Sequence, residues 1–215
     1  MNRDKVEMDS VWKDGFLFLG NQLALDFLNT CPVQNGERIE LLPDFNALLR
    51  WFQAAALLSS RRVANLQGLW ANSPRAQRAV ETIRELRERL RKDVVAWEHG
   101  GTVPHSTVNE LNRLMAEHPM RTRLKTDVSV PSIEGWFEAN EPEDLFAPLA
   151  HSAAELFAHA DQARVRQCGE CVLHFHDTSK KGTRRWCSMQ LCGNRLKVAA
   201  YAERQRRLTR ETKKF

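Results

Sequence analysis

No apolar run in this 215-residue chain approaches the roughly 18 residues that a membrane-spanning helix requires, and patches such as Ala54-Ala55-Ala56-Leu57-Leu58 are far too short. A membrane partner is therefore not expected. The charged start Met1-Asn2-Arg3-Asp4-Lys5 has no apolar stretch behind it of the kind a signal peptide needs, so a cytoplasmic protein with reduced thiols is the expectation. Also missing are a P-loop, a Gly-x-Ser-x-Gly elbow, a His-Glu-x-x-His pair and a dinucleotide fingerprint. Without any of these the chain is not expected to be an enzyme. It shows no internal repeat and no low-complexity linker.

What is present divides unevenly. A hydrophobic content of 42% can supply the core of one ordinary domain with a small module beside it, and the division is placed at residues 1–160 and 161–215. From Arg164 to Phe215 there are fourteen Lys/Arg against four Asp/Glu, a net charge of +10, while residues 1–163 carry −5. So basic a tail beside an acidic body points to a polyanionic partner. Nucleic acid comes first, because neutralising phosphates releases counterions and drives binding.

Four of the five cysteines lie in one 25-residue window, as Cys168-Gly-Glu-Cys171, fifteen further residues, then Cys187-Ser-Met-Gln-Leu-Cys192. Two close pairs separated by a hairpin-sized stretch can bring four thiolates around one zinc ion, with sulfur at about 2.3 Å. Two unrelated buried pairs, or disulfides, are the weaker explanation. Four thiolates close the coordination shell, so the ion expected here is structural. His174 and His176 are alternative ligands, but four well-spaced cysteines make them unnecessary. Cys31 stands alone and receives no role, since a free cysteine is more often a small buried apolar residue than a reactive one.

Apolar residues at 23, 24, 27 and 28 predict a short first helix, and Leu48, Leu49, Trp51 and Phe52 behind Pro43 a second. From Ser73-Pro74 to about His99, Val80, Ile83, Leu86, Leu90, Val94 and Trp97 recur at steps of three or four, which predicts the longest helix, ended by Gly100-Gly101. Ser106-Thr107 should cap a fourth, with Leu111, Leu114 and Met115 turned inward. Alternation through Thr122, Leu124, Thr126, Val128 and Val130, then Ile133 to Glu138, predicts a β-hairpin. A helix from Leu145 to Phe157 then delivers the chain to the cysteines. Between the cysteine pairs, residues 172–186 read as a short hairpin with a cationic Gly turn, and residues 193–207 as a helix that places Cys192 at its N-terminus. The fold class expected is α+β: a mainly helical N-terminal domain with a small antiparallel β-hairpin, followed by a treble-clef-like zinc finger.

Trp186-Cys187-Ser188 followed by Cys192-Gly193-Asn194-Arg195 resembles the CGNR zinc finger, which is named for that tetrad. The body resembles the companion domain called ABATE, through Phe18-Leu19-Gly20, Leu25-Asp26-Phe27-Leu28-Asn29-Thr30, Leu42-Pro43 with Leu49-Arg50-Trp51, and Ala147-Pro148-Leu149-Ala150. That resemblance covers nearly the whole chain. It implies a stress-linked bacterial transcription regulator whose finger binds DNA, with zinc at Cys168, Cys171, Cys187 and Cys192. His174 and His176 depart from the plainer residues expected at their positions.

The cations expected to meet DNA are Lys180, Lys181, Arg184 and Arg185 between the cysteine pairs, and Arg195, Lys197, Arg204, Arg206, Arg207 and Arg210 beyond them. Arg195 can equally bond backbone carbonyls near the metal, and Asn194 can cap the helix. In the acidic body, Asp26, Asn29 and Thr30 are candidates to line a pocket for a small-molecule effector, the competing reading being that they only terminate a helix. A homodimer would double the half-site contact, though no coiled-coil seam is visible. The rival to DNA binding is a finger whose cations meet an acidic protein surface, for instance in the transcription machinery. Oxidation of the zinc thiolates, with loss of the metal, is a third possibility.

Overall fold

The computed structural model describes residues 11–34, 36–126 and 130–193. Six α-helices lie among them: α1 (Leu23–Leu28), α2 (Phe45–Ala54), α3 (Ser60–Trp70), α4 (Pro74–Glu98), α5 (His105–Glu117) and α6 (Phe146–His159). The described strands form separate antiparallel pairs: β1 (Trp12–Lys13) with β2 (Phe16–Leu17), β3 (Val33–Gln34) with β4 (Glu37–Arg38), β5 (Arg121–Lys125) with β6 (Ser132–Trp136), and β7 (Val165–Gln167) with β8 (His174–His176). The fold class is α+β, a helical body with small two-stranded sheets and a C-terminal cluster of four cysteines.

Helix α4 is the axis of the body because its apolar residues fall on one stripe. Val80, Ile83, Leu86, Leu90 and Val94 are buried along it. The Ser73 hydroxyl accepts from the Ala76 amide at 3.0 Å, and Pro74 follows where its missing N–H costs nothing. At the other end the Gln162 side chain donates to the carbonyls of Trp97 and Gly101, tying the segment after α6 to the C-terminal end of this helix. Around α4 the core gathers α1, α2, α6 and the inner faces of α3 and α5, with Trp51 fully buried against Phe18, Phe27 and Phe52.

One start differs from the sequence expectation. Helix α5 begins at His105 behind Pro104, and Thr107 donates its hydroxyl to Asp93 of α4 at 2.5 Å rather than capping its own helix. Helix α1 has no side-chain cap of its own; Ser152 on α6 accepts from the Ala24 amide at 2.9 Å, a cap supplied from 128 residues away. The predicted hairpin forms as β5 and β6, in register from Arg121 opposite Trp136 to Lys125 opposite Ser132, while Val128 lies outside the described residues.

Between the cysteine pairs the outcome is also different. The partner of β8 is β7, which precedes Cys168, so the Cys168–Cys171 turn itself is the hairpin connection. The segment expected to return as a strand is drawn into a loop by Asp177, whose carboxylate accepts from the amides of Ser179 at 2.9 Å and Arg184 at 2.8 Å. Burial alone would raise the Asp177 carboxyl, but Ser179, the Arg184 amide and nearby Arg166 outweigh it and hold it at about 2.

Candidate metal centre and its seat on the body

Four sulfurs converge because two different backbone devices present them. Cys168 and Cys171 flank the turn from β7 into β8, closed by the Cys168 amide donating to the Leu173 carbonyl at 2.9 Å. Cys187 and Cys192 flank a tight turn at whose start the Ser188 hydroxyl accepts from the amides of Gln190 and Leu191. Cys192 itself lies in a π-helical turn, Met189–Gly193.

The four Sγ atoms lie within 4.8 Å of one another, with Cys171 to Cys187 and Cys187 to Cys192 both at 3.6 Å. Tetrahedral bonds of about 2.3 Å to a central ion would set sulfurs about 3.8 Å apart, so the donor set fits one zinc-sized cation. The thiols alone are electrostatically frustrated. A hydrogen bond from Cys171, aided by one from Cys187, holds Cys168 far below an ordinary thiol, while that same bond to Cys168 pushes Cys171 up to about 12. Cys187 is raised as well by its bond to Cys168. Such a cluster cannot ionise together without a cation to share the charge.

His174 and His176 take no part in this cluster. His174 is fully buried on β8, its Nδ1 3.4 Å from a carboxylate oxygen of Glu98 at the end of α4. Cys31 is free, buried and remote in sequence from the cluster.

The cations divide in two. Lys180, Lys181 and Arg185 are exposed on the loop between the cysteine pairs. Arg184, expected among them, is turned inward: its Nε donates to the Trp186 carbonyl at 2.8 Å, a terminal nitrogen donates to the Cys187 carbonyl, and its guanidinium lies 4.4 Å over the Phe175 ring. The reason is local. Trp186-Cys187 turns sharply under the metal site, and its carbonyls need a donor that only a planar, multidentate cation supplies. Arg164 and Arg166, which drew no attention in the sequence, brace the same loop through the carbonyls of Ser179, Gly182 and Arg184. Arg195, Lys197, Arg204, Arg206, Arg207 and Arg210, with the helix expected to carry them, lie outside the described residues.

Asp26, Asn29 and Thr30, the candidates for an effector pocket, are buried and engaged by the protein itself. One Asp26 oxygen accepts from the amides of Leu19 at 2.9 Å and Gly20 at 2.7 Å. Burial nevertheless raises this carboxyl to about 6 against those two bonds. Asn29 pairs with the backbone of His174 in both directions, donating to its carbonyl at 2.9 Å and accepting from its amide at 2.8 Å. The Thr30 hydroxyl donates to Phe27 and accepts from Arg87, itself almost fully buried and bidentate to Glu40. The geometry gives all three a structural role. Gly20 belongs with them, since a Cβ there would stand 2.8 Å from the Leu25 side chain and 2.9 Å from the Asp26 amide nitrogen.

A helical body carrying a four-cysteine metal-binding finger defines the class of protein. Within that class the chain belongs to the ABATE family, described as "Putative stress-induced transcription regulator", which matches residues 21–160, and the CGNR zinc finger matches residues 164–205. Comparison with curated proteins finds no match. Among the described residues no helix is long and apolar enough to cross a membrane.

Proposed function

We propose that this chain is a cytoplasmic, non-catalytic transcription regulator that binds DNA through a finger built on one structural zinc ion, with residues 1–160 as its sensor or association module and 161–215 as its DNA-binding module. The observation that carries this reading is the four-sulfur cluster, contributed by a stretch of sequence, residues 164–215, that carries a net charge of +10. Zinc would be held by Cys168, Cys171, Cys187 and Cys192, and would supply the cross-link that so short a finger cannot obtain from a hydrophobic core. The loop bonds of Arg164, Arg166 and Arg184 would hold Lys180, Lys181 and Arg185 outward as phosphate contacts, and the cations after Cys192 are further candidates for such contacts.

The test is zinc content together with duplex-DNA affinity across a salt series, for the native chain and for Cys187→Ser. One zinc per chain is expected, with an affinity that falls steeply with salt and is lost in the variant. Each phosphate contact removed should flatten the log–log salt slope by about 0.9, so Lys180→Ala with Lys181→Ala should flatten it measurably. Stoichiometric zinc without DNA affinity would instead favour an acidic protein surface as the finger's partner.

A further inference from the structure

Among the described residues the finger shares its core with the body. The apolar cluster around its cysteines contains Leu17 and Leu19 from the N-terminal segment, packed with Leu173, Phe175, Cys168, Cys187 and Cys192. Conversely, Val165, the first residue of the finger's strand β7, is buried in the core of the body. Strand β8 is an edge strand on the side away from β7, and that edge is covered by the body. His176 donates its amide to the Gly20 carbonyl at 2.8 Å, Asn21 donates to the His176 carbonyl at 2.9 Å, and Asn29 makes its two bonds to His174. The side chain of Asn29 thus does for β8 what a third strand would do. Asp26 holds Leu19 and Gly20 in the position from which they meet the finger. Beneath the strand, His174 and Glu98 are buried against each other.

From this we infer that metal occupancy of the finger and the order of the body's N-terminal segment and α1 are reciprocally coupled, with Asn29 as the joint. The inference rests on the metal-binding reading but needs no DNA. Occupancy of the four sulfurs fixes the turn from Cys168 into β8, and so fixes the backbone groups that Asn29 and Gly20 grip. By linkage, an event that orders or displaces α1 changes the metal affinity by the same factor by which the metal changes the equilibrium of that event. A regulator built this way needs no hinge between its parts, because what the body senses and what the finger holds share one strand edge and one apolar cluster.

The experiment uses the full chain and zinc itself as the probe. Zinc affinity is measured by competition with a chromophoric chelator for the native chain, for Asn29→Ala and for Asn29→Asp, which keeps the acceptor for the His174 amide but loses the donor. Amide exchange is followed before and after chelation. We expect an affinity loss of roughly tenfold or more in Asn29→Ala, since tenfold corresponds to about 1.4 kcal/mol, the scale of one or two buried hydrogen bonds, and at least as large a loss in Asn29→Asp, whose buried carboxylate would face the His174 carbonyl. Chelation should accelerate exchange at Leu19, Gly20 and His174 by an order of magnitude or more while leaving the β5–β6 ladder unchanged. Tight zinc in both variants, or unchanged exchange at Leu19 and Gly20 after zinc is removed, would overturn the coupling alone. Failure of the native chain to bind zinc would overturn the metal-binding reading and the coupling with it.

Discussion

Asp26 is an ionisable residue that folding buries. Its carboxyl sits at about 6, against 3.8 ordinarily, because burial penalises the charge more than the Leu19 and Gly20 amides relieve it. A carboxyl raised on folding binds its proton more tightly in the folded state, so its contribution to stability is full below about pH 4 and lost as pH rises through 6. Two pH units correspond to about 3 kcal/mol. Asp26→Asn keeps an oxygen for both amides and carries no charge, so urea unfolding from pH 4 to 7 should show it more stable than the native chain at pH 7, the difference vanishing toward pH 4. Asp26→Ala should lose about 2–4 kcal/mol at pH 7, because two buried amides are then left without an acceptor. Arg87 follows a different rule. Its guanidinium is buried, but its partner Glu40 keeps 29% of its side chain exposed, so Arg87→Ala should cost about 2–4 kcal/mol by thermal unfolding, and Arg87→Met should recover part of it by restoring the packed volume. The sequence marks Asp26, Asn29 and Thr30 as polar residues at a helix end, yet only folding shows what each one bonds.

At the scale of elements, legibility followed the density of apolar residues on one face. Helix α4 could be read almost to its ends because buried residues recur along its whole length behind a Ser-Pro start. Helix α3 gives only a weak sequence signal because Val63 and Leu66 alone are buried on it and Gly68, a poor helix former, falls within it. Strand β7 gives none because three residues are too few for an alternation to register. Two tight turns offered a signal that went unused, Asp14-Gly15 between β1 and β2 and the glycine at Gly36 between β3 and β4, each glycine at positive φ. Ser73→Ala should lower the stability of the chain by about 1 kcal/mol through loss of the α4 cap, read as a fall in the thermal midpoint. Leu124→Thr and Ile133→Thr should stay within about 0.5 kcal/mol of the native chain, since both side chains stand exposed on the β5–β6 hairpin.

At the scale of the whole molecule, the boundary near residue 160 is a boundary of charge and of family match more than of packing. Leu19 lies outside both the charged tail and the cysteine window, yet it packs on the cysteines. Leu19→Ala should therefore weaken zinc binding in a chelator competition as well as lower stability by about 2–5 kcal/mol, whereas Leu66→Ala, deep in the body's own core, should lower stability alone. The sequence by itself determined the cysteine tetrad, the long helix, the β5–β6 hairpin and the opposite charges of the two halves, because spacing, periodicity and composition are local properties that survive without coordinates. Only the tertiary structure decided that Arg184 turns inward, that Ser152 caps α1, and that Asn29 clamps β8. Each of these is a hydrogen bond or contact set by which backbone groups folding leaves without a partner, and that is fixed by the chain as a whole.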